Sequence, residues 1–152
     1  LSTGLFLENK IFKIKSDDIT NPRIGQKFDM ITCISVLEHI PAHREALKGM
    51  FSLLNPGGQI ILTFPYNEHT YHADIYRHPQ AGYGQQHPFI GQVYSRNELN
   101  SWLADNGGVI LKQIYYEAFT GEFWTMGDPI YPLRETTADA RHHLTCLLLA
   151  KS

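Results

Sequence analysis

The apolar and polar positions are most regular between residues 28 and 64, where they predict two strands separated by a helix. Residues 28–35 are rich in apolar and β-branched side chains. This run is too apolar for a strand with one wet face, so it predicts a strand that is buried on both faces. Residues 59–64, Gln-Ile-Ile-Leu-Thr-Phe, predict a second buried strand.

A helix is predicted between these two strands. Pro41 fits its first turn, where a missing N–H costs nothing. Apolar residues then recur on one helical face, which holds Ala46, Leu47, Met50, Phe51 and Leu54. Residues 55–58, Asn-Pro-Gly-Gly, end the helix. Strand, helix, glycine turn and strand make a βαβ unit, so we expect two parallel strands with a right-handed crossover.

The second half of the chain predicts another helix and two more strands. Residues 95–98, Ser-Arg-Asn-Glu, form a capping box at the start of the helix. Residues 106–108, Asn-Gly-Gly, end it. Residues 109–116 and 142–150 are predicted to be antiparallel strands, and residues 118–140 are predicted to be an excursion between them.

Length and composition limit the classes of protein to which the chain can belong. A chain of 152 residues makes one domain that can bury a core. Its net charge of −2, with scattered charges of both signs, shows no footprint for nucleic acid or an anionic membrane. No stretch is apolar and long enough to span a bilayer. We expect a cytoplasmic protein in which Cys33 and Cys146 are buried, reduced thiols.

Two motifs carry a resemblance to a known family. Residues 28–40 have the form Phe-Asp-x-Ile-x-x-x-x-Val-Leu-Glu-His-Ile, and residues 54–62 have the form Leu-x-Pro-Gly-Gly-x-Ile-Ile-Leu. At this separation the two motifs resemble those of class I S-adenosylmethionine-dependent methyltransferases. Within that family they resemble the small-molecule group, which carries this Leu-Glu-His sequence. The resemblance runs from about Ile11 to about Lys151.

The resemblance implies a fold, a cofactor and a reaction. The fold would be an α/β, Rossmann-like methyltransferase sheet, mostly parallel, with an antiparallel final strand. S-adenosylmethionine would be the cofactor and methyl donor, and a small molecule would be the acceptor. The insertions at residues 65–94 and 118–140 would lie on the substrate side, the first of them as a mobile cover rich in tyrosine and histidine.

The resemblance also implies cofactor contacts. In the family, a strand that ends in a small residue and an aspartate places that carboxylate beside adenine. Asp17, after a predicted strand at residues 11–15, matches best, and Asp18 is the alternative register. A solvated turn is the other interpretation of these aspartates. Ser35 and Val36 close the 28–35 strand at its carboxyl end, where ligands bind in open α/β sheets.

No residue is identified as catalytic, because transfer from a sulfonium mainly requires alignment of donor and acceptor. His87 and His39 are the candidates. The alternatives are that His87 fixes a loop and that His39 bonds to the backbone at a helix start. No metal is expected, because the scattered histidines of residues 65–94 match no metal-binding spacing.

One motif of the family is missing. Its cofactor fingerprint is a strand, a Gly-x-Gly-x-Gly turn and a helix, and neither Gly82 nor Gly84 supplies it. We therefore expect residues 1–152 to be a single partial methyltransferase domain that associates with another copy or with the missing amino-terminal half. A non-catalytic binding or assembly module, or a truncated product, is the alternative. A nicotinamide dehydrogenase is a third and weaker alternative, because the glycines that bind the phosphates in that class are also absent.

Overall fold

A computed structural model of the chain describes residues 13–152. Five strands form one sheet in the order β1-β2-β5-β3-β4. The strands are β1 (Phe28–Ile34), β2 (Leu54–Pro65), β3 (Gly108–Phe119), β4 (Pro129–Thr136) and β5 (Leu144–Lys151). The helices are α1 (His43–Ser52) and α2 (Arg96–Asn106), and two 3₁₀ turns span Leu37–His39 and Ile75–Arg77.

The predicted βαβ unit is confirmed, because β1 and β2 are parallel and α1 lies between them in the chain. Its boundaries differ from the prediction. Leu54, expected on the helix, begins β2 and pairs with Phe28. The Asn-Pro-Gly-Gly segment is an irregularity within the strand, where Gly57 adopts a left-handed φ of 74°. A Cβ added at Gly58 would lie 2.9 Å from the backbone oxygen of Asn55 and 3.1 Å from that of Phe28, so this close approach favours glycine.

The prediction of a mostly parallel sheet was only partly right. Strand β5 is antiparallel to both of its neighbours, as expected for the final strand. The excursion at residues 118–140 contains an additional strand, β4, which is antiparallel to β3. Only the β1–β2 pair, out of four neighbouring pairs, is therefore parallel.

Both helices cover the same face of the sheet. Leu47 and Met50 of α1 and Trp102 of α2 pack in one apolar cluster with the sheet residues Ile60, Leu62, Phe64, Leu147 and Leu149. Ser95 and Glu98 complete the predicted capping box of α2. On the opposite face, large apolar side chains stay about half exposed: Met30, Ile34, Val109 and Leu111. The sheet therefore has one covered face and one open face.

The segment that precedes β1 packs against α1. The predicted strand at residues 11–15 lies partly outside the described residues, and residues 13–15 are exposed and belong to no strand. Ile19 contacts the main core. Its carbonyl oxygen lies so close to Gly49 of α1 that an added Cβ would be 1.8 Å from it. Glycine at position 49 therefore fixes how closely this segment approaches the helix.

Cys33 and Cys146 are free thiols, but they are half-buried rather than buried. Among residues 13–152, no helix has the length and apolar character needed to cross a membrane.

Candidate functional site

The carboxyl ends of β1, β2 and β3 lie along one edge of the sheet, which is formed by strand ends and not by an outermost strand. This follows from the pairing, because β2 is parallel to β1 and both β2 and β3 are antiparallel to β5. The two predicted insertions begin at this edge, one directly after β2 and the other directly after β3. Ligands of open α/β sheets bind at such carboxyl ends.

Ser35 and Val36 lie at this edge, directly after β1. The backbone of Ser35 has a φ of 50°, in the left-handed region that is uncommon for residues other than glycine. Its N–H donates to the backbone oxygen and to Oγ1 of Thr63, at 3.0 Å each. Both residues are exposed, so a ligand can reach them. A strained, exposed residue at a strand end is typical of ligand sites.

The two aspartates differ in how their carboxylates are used. Oδ1 and Oδ2 of Asp17 accept hydrogen bonds from the backbone N–H groups of Asp18, Arg23 and Ile24, at 2.8–3.2 Å. The bond from Ile24 is the largest cause that holds the pKa of Asp17 below its ordinary value. In Asp18, only Oδ1 is occupied, by the N–H and hydroxyl of Thr20. Oδ2 of Asp18 accepts no hydrogen bond from any described residue.

Glu38 is a buried acid behind this edge. The predicted helix start is instead the 3₁₀ turn Leu37–His39, which leaves the Glu38 side chain only 4% exposed. Oε2 of Glu38 has no hydrogen-bond partner among the described residues. Burial raises the pKa of Glu38, and burial together with the charge of Glu38 raises the pKa of the Cys33 thiol.

The two candidate histidines meet around one phenylalanine. The Phe89 ring centroid lies 4.7 Å from that of His39, edge to face, and 4.8 Å from that of His87, stacked. Nδ1 of His39 lies 2.7 Å from the backbone oxygen of Ile90. His87 also packs edge to face against Tyr76 at 5.1 Å. His39 is therefore bonded to the 65–94 insertion, of which His87 is itself a part, and the roles of both histidines stay predictions.

The two insertions pack against each other. Ile75, Tyr76 and Val93 of the first form a small apolar cluster with Met126 of the second. The Gly82 N–H donates to the backbone oxygen of Thr125 at 2.8 Å. The first insertion is thus anchored by buried residues at 75–76 and 91–94, and its mobility stays a prediction.

An ion pair lies next to the carboxyl end of β2. Arg96 donates from Nε and Nη2 to the two oxygens of Glu68, at 3.1 and 2.9 Å. Arg96 also donates to the Tyr115 hydroxyl at 2.9 Å, and the Tyr66 hydroxyl donates to Glu68 at 3.0 Å. Burial acts to raise the pKa of Glu68, but the bonds from Arg96 and Tyr66 hold it below its ordinary value.

A cavity of about 350 Å³ opens beside this ion pair. It is lined by residues that follow β2 (67–70), residues that follow β3 (122–123) and residues that precede β5 (138–142). Its volume is in the range of small-molecule sites. No group of three or more metal-ligating side chains occurs within residues 13–152.

The sequence profile of a family described as a methyltransferase domain matches residues 6–113. The chain belongs to this family. The match covers the βαβ unit, the first insertion and α2, and it includes the residues predicted to contact a cofactor.

Curated relatives of this methyltransferase domain are about 30% identical to the chain over the aligned residues. The ubiquinone biosynthesis O-methyltransferase of Coxiella burnetii (strain RSA 493 / Nine Mile phase I) is 31% identical over 108 residues, which are 65% of this chain and 44% of that protein. The enzyme of the same name from Pseudomonas aeruginosa (strain LESB58) is 30% identical over 63 residues, 41% of this chain and 26% of that protein. The chain spans less than half the length of these relatives.

Solved structures show the same fold. An S-adenosylmethionine-dependent methyltransferase from Methanosarcina mazei superposes with a TM-score of 0.57 at 16% identity, covering 91% of this chain and 66% of that chain. A possible histamine N-methyltransferase from Thermotoga maritima gives 0.54 at 14% identity, covering 88% and 61%. The sheet is therefore that of a Rossmann-like methyltransferase.

Within this methyltransferase domain, the sequence predicted candidate contact residues but did not predict the cavity. Ser35 and Val36 are at the expected edge, and His39 and His87 lie together around Phe89. The cavity beside Glu68 and the inward position of His142 were missed, because His142 was assigned to the last strand. The His142-His143 pair just before that strand was the available signal.

Proposed function

We propose that the chain takes part in methyl transfer from S-adenosylmethionine to a small-molecule acceptor, and that another polypeptide segment completes its cofactor site. The observation that carries the proposal is the exposed, left-handed Ser35 at the carboxyl end of β1, in a chain of the methyltransferase domain family. The named activities of the relatives, ubiquinone biosynthesis O-methyltransferases, support a small-molecule acceptor with a hydroxyl group.

The residues at the sheet edge fit part of a nucleoside-containing donor. The backbone around Ser35 and Val36 is open to a ligand. A carboxylate offers about four lone-pair sites, and those of Asp17 are directed at backbone N–H groups. Asp18 keeps Oδ2 available for the amino group of adenine. We therefore favour Asp18, the alternative register, as the adenine contact.

When bound, S-adenosylmethionine would supply the electrophilic methyl group. The chain's own residues would align the donor and the acceptor, since alignment dominates such a displacement. The insertions pack together over the edge, where they would exclude water from the reacting atoms.

The position that we propose for the completing segment follows from the order of the strands in the sheet. Strand β1 is the first strand of the observed order, so its outer edge is unpaired among the described residues, and Met30 and Ile34 beside it are about half exposed. The glycine-rich turn that binds the cofactor in the family does not occur in residues 1–152. A segment that pairs with β1 and carries this turn would satisfy both needs.

The test is binding of S-adenosylhomocysteine by titration calorimetry. The chain would be measured alone and fused to the amino-terminal part of the Coxiella burnetii relative that precedes the matched region. We expect weak or no binding alone and micromolar binding by the fusion. Tyr131→Lys, at an exposed position of the opposite edge strand β4, serves as the matched variant that preserves binding. Failure of the fusion to bind, when it is folded, would favour a non-catalytic binding or assembly module.

A further inference from the structure

We propose that Thr63 is a positioning residue at the carboxyl end of β1: its hydroxyl holds the backbone of Ser35 in the left-handed conformation that leaves Ser35 and Val36 open to a ligand. That this ligand is S-adenosylmethionine rests on the proposed function. The positioning itself does not, because it needs only the end of β1 and the strand beside it.

The chain passes from an extended strand to a tight turn within two residues. Ile34, the last residue of β1, pairs in parallel with Thr63 of β2. Leu37 begins the 3₁₀ turn and is fully buried. Ser35 and Val36 make the connection, and both are exposed. The positive φ of Ser35, 50°, therefore determines how the end of the strand is presented to a ligand.

The N–H of Ser35 is held by two oxygens of one residue. It donates to the backbone oxygen of Thr63 and to Oγ1 of Thr63, at 3.0 Å each. The two hydroxyls are also neighbours, since Oγ of Ser35 lies 3.4 Å from Oγ1 of Thr63. Any residue at position 63 would supply the backbone oxygen, whereas the second acceptor depends on the side chain. The hydroxyl of Thr63 thus adds a contact that an apolar residue could not make.

This hydroxyl has no competing partner. In the part of the chain that the structure describes, Oγ1 of Thr63 makes hydrogen bonds to Ser35 alone. Thr63 lies on the open face of the sheet, because its chain neighbours Leu62 and Phe64 are buried in the main core on the covered face. Ile34, opposite Thr63 on the open face, is half exposed. An apolar β-branched residue would suit this strand position equally well, so the contact with Ser35, and not packing, accounts for the threonine.

The conformation of Ser35 needs such support. A positive φ is uncommon for residues other than glycine, and asparagine and aspartate adopt it more readily than serine. A strained conformation persists only where the surrounding structure holds it. Without the hydroxyl, the N–H of Ser35 keeps one acceptor, and its backbone can relax to a negative φ. The exposed peptide groups of Ser35 and Val36 would then point in other directions, which should weaken ligand binding without unfolding the sheet.

The first measurement uses the whole chain without a methyl donor, labelled with ¹⁵N and ¹³C for NMR. A strong NOE between the amide and α protons of Ser35 reports a positive φ, because these two protons are closest in that conformation. Thr63→Val keeps the shape of the side chain and removes the hydroxyl. It should weaken this NOE and make exchange of the Ser35 amide hydrogen about fivefold faster.

Two further variants serve as controls in that measurement. Thr63→Ser keeps a hydroxyl at this position and should keep both the NOE and the exchange rate of the parent. Thr32→Val removes an exposed hydroxyl two residues before Ile34 on β1, hence on the same open face. Since Thr32 pairs with Ile61 and not with the residue opposite the strand end, its variant should change neither observable.

The second measurement is titration calorimetry of S-adenosylhomocysteine with the fusion to the amino-terminal part of the Coxiella burnetii relative. Thr63→Val should bind about fivefold more weakly than the parent fusion. Thr63→Ser and Thr32→Val should bind within twofold of the parent. Thermal melts establish that each variant is folded.

The outcomes separate this inference from the proposed function. The inference is overturned if Thr63→Val keeps the NOE of Ser35, if its fusion binds as tightly as the parent, or if Thr63→Ser loses the same affinity as Thr63→Val. If Thr63→Val changes Ser35 in the chain alone while the parent fusion never binds S-adenosylhomocysteine, the positioning of Ser35 by Thr63 is kept and methyl transfer is rejected.

Discussion

Nδ1 of His39 lies 2.7 Å from the backbone carbonyl oxygen of Ile90. Because the carbonyl oxygen accepts, His39 is the donor, and it connects the carboxyl end of β1 to the end of the 65–94 insertion. Two further bonds reinforce this connection: the Gln92 N–H donates to the backbone oxygen of Glu38 at 3.0 Å, and the Tyr94 hydroxyl donates to that of Leu37 at 2.9 Å. The insertion is thus hydrogen-bonded to the turn that follows β1.

The first prediction concerns His39 as an anchor. His39→Ala should lower the free energy of unfolding by about 1 kcal/mol, because one partly buried hydrogen bond is lost. Hydrogen exchange of residues 87–92 should become faster than in the parent, while exchange of β2 stays slow. His87→Ala is the control, since the His87 ring makes aromatic contacts but no side-chain hydrogen bond to a described residue. Equal exchange in the His39 variant and the parent would contradict the anchor role.

The second prediction concerns the close approach of Ile19 to α1. In an exposed helix, Gly→Ala is normally favourable. Gly49→Ala should instead cost about 1–3 kcal/mol in urea denaturation, because the new Cβ would lie 1.8 Å from the Ile19 carbonyl oxygen. Gly25→Ala, with no atom within 4 Å of its Cβ, should be neutral or stabilising by up to about 1 kcal/mol. A stabilising Gly49→Ala would mean that the segment before β1 does not pack on the helix.

The third prediction separates the two aspartates. In the fusion described above, Asp18→Asn should weaken S-adenosylhomocysteine binding about tenfold, because a neutral amide replaces the carboxylate whose Oδ2 is available. Asp17→Asn should mainly lower the melting temperature, since the Asp17 carboxylate holds three backbone N–H groups. Calorimetry and thermal melts measure the two effects. Loss of affinity confined to Asp17→Asn would restore Asp17 as the adenine contact.

The fourth prediction uses the raised pKa of Glu38. A carboxyl group whose pKa is higher in the folded than in the unfolded chain stabilises the fold below its unfolded pKa of about 4.3. That contribution is lost as the pH rises through the folded pKa. Glu38→Gln removes the ionisation, so the variant does not lose this stability as the pH rises. The free energy of unfolding of the variant minus that of the parent should therefore be larger at pH 8 than at pH 5, by about 1 kcal/mol or more. A difference independent of pH would contradict an ionisable, unpartnered Glu38.

The sequence predicted the local part of this fold well and its long-range part poorly. The β1-α1-β2 unit was predictable because its pattern and its turn residues lie within one short segment. Strand β4 was missed because Pro129 and Pro132 interrupt it and most of its side chains are exposed. As an edge strand it tolerates proline. Its pairing with β3, not its own pattern, makes it a strand.

The candidate site, like the fold, could be predicted only where it depends on local sequence. Ser35 and Val36 were located by the rule that ligands lie at carboxyl ends of strands. The aspartates were ambiguous because the residue type that favours turns is also the type that binds adenine. Thr63 could not be found from local sequence, since its proposed role depends on Ser35, which lies 28 residues earlier in the chain and is adjacent to it only in the sheet.

The last prediction concerns association through the outer edge of β1. This edge has unpaired backbone groups among the described residues, and Met30, Ile34 and Val36 beside it are each about half exposed. Such an edge is a template for pairing with another chain, and exposed apolar side chains add to the gain. Residues 1–152 alone should therefore show a weight-average mass above the monomer in light scattering, rising with concentration, and should bind S-adenosylmethionine weakly or not at all.

Ile34→Lys places a charge at the outer edge of β1 and should shift the mass towards the monomer. Tyr131→Lys, at an 84% exposed position on the opposite edge strand, is the matched control and should not. If the control alone dissolves the association, the contact runs through β4. A stable monomer with micromolar affinity for the cofactor would show that β1 needs no partner and that the site is complete in this chain.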